Sequence, residues 1–93
     1  MRFIVAYDIT STRRRNKLVR ILEKFGQRVQ YSIFECELTP AGAVALRAEL
    51  RMAGFMTGKY GAVFLYPFDE NTLRGIERYG SSLTIDKPAV IVT

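Results

Sequence analysis

Residues 2–8, Arg-Phe-Ile-Val-Ala-Tyr-Asp, are apolar on both sides of an extended segment, and this limits the fold more than any other stretch. Successive side chains of a strand point to opposite faces, so Phe3, Val5 and Tyr7 point one way while Ile4 and Ala6 point the other. Residues 62–66 (Ala-Val-Phe-Leu-Tyr) and 89–92 (Ala-Val-Ile-Val) are likewise apolar at both parities. Strands of this kind expect cover on both faces of their sheet. Helical patterns lie between them. Thr10-Ser11-Thr12 supplies N-cap candidates for a helix over 12–25, in which Leu18, Ile21, Leu22 and Phe25 form one buried stripe and Gly26 serves as the stop. Residues 28–38 read as extended, either one strand or two short ones split near Tyr31-Ser32. Thr39-Pro40 is a cap followed by proline in the first helical position, and that helix runs to about Met52. Residues 60–66 read as a central-type strand closed by Pro67, 71–79 as a weak helix through Leu73 and Ile76, and 89–92 as a short last strand.

This order predicts one α+β domain over residues 1–93: a ferredoxin-like antiparallel sheet with two helices on one face, plus a short C-terminal strand. Two helices cover one face only. The other is left to the 71–87 segment or to a second copy of the chain, and a homodimer is the expectation.

Charge points to the kind of partner. Fourteen Lys and Arg against nine Asp and Glu leave +5, which favours a polyanion. The chain has no His, which excludes His-centred acid–base catalysis and His-built metal sites. Its single cysteine, Cys36, excludes an internal disulfide and a multi-Cys zinc site, reads as a small buried hydrophobe, and fits a reducing, cytoplasmic setting. The opening apolar run is too short for a signal peptide or a membrane span, so no membrane is expected.

Seven of the fourteen basic residues fall between 13 and 28: Arg13, Arg14, Arg15, Lys17, Arg20, Lys24 and Arg28, against the one acid Glu23. Arg13, Lys17, Arg20 and Lys24 follow at spacings of 4, 3 and 4, along one helix face. Such a face is either merely solvated or binds phosphates. Cations in a first helical turn oppose the macrodipole by about 0.3–1 kcal/mol each, and bound phosphate would account for three arginines there. Asp8, the only carboxylate before Glu23, is either a turn-forming Asp or a Mg²⁺ ligand. One carboxylate is too few for a two-metal phosphodiesterase. Two copies of Asp8 facing each other across a dimer could hold one ion, which would make dimerisation and catalysis a single question. The stretch Lys59-Tyr60-Gly61-Ala62-Val63-Phe64 loosely matches the aromatic strand of RNA-recognition domains, a rival function. Ala62 stands where that motif wants an aromatic, and Phe64 and Tyr66 read better as core or interface.

A more specific signal is the string Val5-Ala6-Tyr7-Asp8-Ile9-Thr10, then Arg15-Asn16-Lys17-Leu18, then Gly26-Gln27-Arg28-Val29-Gln30-Tyr31-Ser32-Ile33-Phe34-Glu35. With these residues the chain resembles, over its whole length, the second CRISPR-associated core protein family, the small subunit of spacer acquisition in antiviral defence. That resemblance implies a ferredoxin-like homodimer that partners the CRISPR integrase. It also implies either a Mg²⁺-dependent (or Mn²⁺-dependent) endonuclease on RNA or DNA, or a non-catalytic scaffold on duplex DNA. Carried over by position, Asp8 matches the metal-binding aspartate and Tyr7 its preceding aromatic. Arg15 and Lys17 match the basic helix-start positions, while Arg28, Ser32 and Phe34 fall on the strand motif. Many members are acidic just after the tyrosine-aspartate pair, whereas this chain has Ser11-Thr12-Arg13-Arg14, a change that favours phosphate binding.

Overall fold

The computed structural model describes residues 1–80; the strand expected at 89–92 and the end of the 71–87 segment lie outside them. The described elements are β1 (Arg2–Ile9), α1 (Thr12–Glu23), β2 (Gly26–Gln30), β3 (Ile33–Glu37), α2 (Pro40–Met52), β4 (Gly61–Phe68) and α3 (Glu70–Arg74). The strands form one antiparallel sheet in the order β2-β3-β1-β4. This is the ferredoxin-like β-α-β-β-α-β arrangement.

Local chemistry sets the boundaries. Ser11 is the N-cap of α1, its hydroxyl accepting from Arg14 N at 3.2 Å, and Thr39 caps α2 in the same way from Gly42 N at 3.0 Å with Pro40 behind it. Helix α1 ends at Glu23, short of the expected 25, and Gly26 is not its stop. Gly26 instead opens β2, where an added Cβ would lie 2.1 Å from Glu35 O and 2.7 Å from Cys36 Sγ. Glycine is there so that β2 can close on β3. The 28–38 stretch is two strands, parted at Tyr31-Ser32, with Ser32 in the left-handed region at φ 63°. Strand β4 is a described edge rather than a central strand and runs through Pro67, which an edge tolerates because no N–H is required of it on the outer side. The weak helix at 71–79 is reduced to five residues, capped by Asp69.

Alternation along β1 decides the layers. Phe3, Val5, Tyr7 and Ile9 are buried with Leu18, Ile21 and Leu22 of α1, Phe34 and Cys36 of β3, and Leu46 and Leu50 of α2. Each such side chain is worth about 1.5–3 kcal/mol on burial. Burial pushes the Cys36 thiol up to about 11, partly opposed by the charge of Arg2, so the cysteine sits in the core as an inert hydrophobe.

The opposite face of the sheet carries Ile4, Ala6 and Asp8, with Phe64 and Tyr66 opposite Ala6 and Ile4. Phe64 and Tyr66 are not core: they are 56% and 46% exposed and meet edge to face at 6.1 Å. Glu35, opposite Ile4, shares this face and is nonetheless buried, paired by Arg2 at 3.4 Å and by Arg78. Arg78, which follows α3, thus covers the β3 side of the face, while the β1/β4 side keeps exposed aromatics. Among the described residues, no helix is long and apolar enough to cross a membrane.

Candidate nucleic-acid and metal site

Asp8 occupies the end of β1, exposed on the helix-free face because Tyr7 and Ile9 on either side point into the core. Its backbone is held from three sides. Tyr7 N donates to Ser32 O at 3.0 Å, bringing the β2–β3 turn alongside. Arg15 Nη1 donates to Ile9 O at 2.8 Å and Thr10 O at 3.4 Å, and its Nη2 to Thr12 Oγ1 at 3.2 Å. Gly61 starts β4 opposite Ile9 at φ 126°, and a Cβ there would lie 2.1 Å from Asp8 O. Only glycine lets β4 approach this closely. The sequence reading missed Gly61, although a glycine opening an apolar strand is a signal of close backbone approach.

The aspartate's carboxylate caps no backbone N–H among the described residues, so it is not the turn-forming Asp that its position allowed. The cap is Ser11, and the turn is tied by Arg15. Among the described residues, no group of three metal-ligating side chains exists, and Asp8 is the single acid of the strand end. Mg²⁺ accepts one or two carboxylates and keeps several waters, so an exposed Asp8 from each of two copies suits it, whereas one chain offers one anchor.

The arginine run divides differently from expectation. Arg14 is committed to the protein: it donates to Ala53 O, and its guanidinium stacks on Tyr60 at 3.9 Å and Phe55 at 4.8 Å from the ring centroids. Arg15 is committed to the carbonyls of Ile9 and Thr10. Two of the three first-turn arginines therefore have partners within the fold, and bound phosphate is not needed to account for them. Lys24 pairs with Glu49 of α2. Arg13, Lys17 and Arg20 are the exposed cations of α1 without a partner among the described residues. Lys17, Arg20 and Lys24 line one wall of a groove of about 520 Å³ between α1 and α2, with Met52 and Ala53 across from them.

Other sequence candidates are not brought to Asp8 as side chains. Tyr7 and Phe34 point to the helix side of the sheet, their ring centroids 6.4 Å apart, and Phe34 is fully buried. Strand alternation places them opposite Asp8, so they shape the core under it and cannot touch a substrate there. Arg28 registers with Phe34 on β2, two strands from β1, its guanidinium 5.9 Å from that ring. Ser32 reaches the site through its carbonyl.

The chain is similar to known proteins over most of its length. The sequence profile described as CRISPR associated protein Cas2 matches residues 1–76. A Synechocystis sp. protein named CRISPR-associated endoribonuclease Cas2 3 is 33% identical over 90 residues, covering 97% of this chain and 96% of the relative. Among solved structures, Streptococcus pyogenes Cas2 superposes with a TM-score of 0.72 at 29% identity, covering 86% of this chain and 100% of its own. A chain of a partial Cas6-RT-Cas1–Cas2 complex does so with a TM-score of 0.71 at 26% identity, covering 99% of this chain and 98% of its own. By sequence and by fold, the chain belongs to the CRISPR associated protein Cas2 family.

Proposed function

We propose that two copies of this chain, packed through their helix-free sheet faces, form a Mg²⁺-dependent endonuclease of CRISPR spacer acquisition that acts beside the integrase. The observation that carries this reading is Asp8, an exposed carboxylate at a strand end whose backbone is held from three sides, on the same face as exposed Phe64 and Tyr66. The aromatics supply the apolar contact that a two-fold interface needs at its centre. The relatives' printed name, endoribonuclease, supports nuclease activity, and the neighbour found with Cas1 supports the integrase as partner. Family membership also weighs against the RNA-recognition reading.

Each residue has a task that follows from its placement. Asp8 from both copies would hold the ion, and Mn²⁺ could replace Mg²⁺ because both accept oxygen ligands. A divalent cation there supplies Lewis-acid polarisation of a phosphate. Arg13, Lys17 and Arg20, exposed along α1, bind and neutralise the nucleic-acid backbone, which fixes its position without reading its sequence. Arg15, Gly61 and the Ser32 carbonyl keep the Asp8 backbone in place. A second reading, a duplex-DNA scaffold that cuts nothing, draws on the Cas1-bound neighbour and on the single carboxylate that each chain offers at the end of β1.

The two readings part in one assay. RNA and DNA oligonucleotides are incubated with the protein in Mg²⁺ or EDTA, and its mass in solution is measured by sedimentation. Cutting in Mg²⁺ alone, by a dimer at roughly tens of micromolar chain, is the expected result. Binding without cutting selects the scaffold, and a monomer at that concentration contradicts both.

A further inference from the structure

Arg14 spans the connection between α2 and β4. Its Nη2 donates to Ala53 O, where the connection begins, and its guanidinium lies on the ring of Tyr60, where it ends. Phe55 closes the arrangement, 4.8 Å from the guanidinium and edge to face with Tyr60 at 6.1 Å. Directly after Tyr60 comes Gly61, whose backbone abuts Asp8 O, and then Ala62, opposite Asp8 in the ladder. Ala53, Phe55 and Tyr60 of the connection and Gly61 at the start of β4 therefore lead from Arg14 to the Asp8 backbone.

We propose that Arg14 is a positioning residue of the Asp8 site. It latches the α2–β4 connection to the first turn of α1 and so fixes the start of β4 against the peptide that carries Asp8. The proposal rests on the reading of Asp8 as metal ligand given above. Arginine suits the task because a planar guanidinium donates to a carbonyl at its edge while stacking on a ring with its face. A lysine ammonium, a compact charge, does not do both in one place. The latch also removes Arg14 from the set of phosphate contacts, although it lies in the middle of the basic run.

Three full-length variants test this: Arg14→Gln, Tyr60→Leu, which keeps the charge of Arg14 and removes its stacking surface, and Lys17→Ala as a phosphate-contact control. Hydrogen exchange of the amides from 54 to 62 should accelerate about 10-fold or more in both latch variants, while the core strands stay protected. On duplex DNA, the slope of log K against log salt should be unchanged in both, whereas Lys17→Ala should lose about 0.9 for each copy whose Lys17 contacts a phosphate. Cleavage should fall about 10- to 100-fold in kcat with little change in KM, the mark of a misplaced reacting group. Tyr60→Leu carries the test if Arg14→Gln fails to fold. A reduced salt slope in Arg14→Gln would make it a phosphate contact and overturn the latch. Unchanged exchange in the folded variants, or unchanged kcat with a loosened connection, would also overturn it. A wild-type protein that cuts nothing in Mg²⁺ overturns the metal reading instead, and exchange and salt slope then decide the latch alone.

Discussion

Asp8→Asn should lower cleavage by about 10²- to 10³-fold, since a bound cation supplies several kcal/mol and each 1.36 kcal/mol is tenfold in rate. Two-fold symmetry would double the effect, because one substitution removes both carboxylates of the proposed shared site. Asparagine keeps the shape of the side chain and tolerates a strand end followed by a turn, so the fold and the dimer should persist. Nucleic-acid binding should remain salt-sensitive and could tighten, as two negative charges leave the neighbourhood of the phosphates. EDTA should reproduce the loss in the wild type, and Mn²⁺ as well as Mg²⁺ should reverse it. Undiminished cutting by a folded Asp8→Asn protein would remove Asp8 from the chemistry.

Phe34→Ala should cost about 3–5 kcal/mol of unfolding free energy, the ordinary loss for a large aromatic deleted from a packed core. Phe34 is fully buried between the sheet and the helices and packs beside Tyr7. Against a typical total of about 5–15 kcal/mol, that loss is severe, and activity should fall with the folded fraction. Phe34→Leu, which refills most of the space, should lose much less stability and retain cleavage per folded dimer. Urea unfolding with activity measured in parallel separates the two roles. A stable Phe34→Leu protein without activity would return Phe34 to the reacting site.

Signals confined to neighbouring residues were legible in the sequence. Thr39-Pro40 located the start of α2, Ser11 lay within the predicted cap cluster, and the alternation of β1 correctly separated Phe3, Val5 and Tyr7 from Ile4 and Ala6. The same alternation already implied that Tyr7 and Asp8 face opposite ways, a consequence that the motif resemblance obscures by grouping them. What could not be read locally depends on distant partners. Arg14 finds Ala53 thirty-nine positions away, so nothing within its own helix distinguishes it from Arg13. Glu35 is one of two acids in β3, and the Arg2 and Arg78 that pair with it come from the first strand and from beyond α3. Gly26 looked like a helix stop because glycine often is one, while its reason lies across the sheet in Glu35 O and Cys36 Sγ.

On the proposed reading, the exposed Asp8 of each chain becomes part of a metal site only when two chains meet. Counting Mn²⁺ bound to the wild-type protein by electron paramagnetic resonance, with Asp8→Asn alongside, decides this. Saturation at one ion for every two chains, abolished by Asp8→Asn, is the expected result, since oxygen ligands from two carboxylates and water suffice for such a cation. One ion per chain, or Mn²⁺ binding that survives in Asp8→Asn, would contradict it.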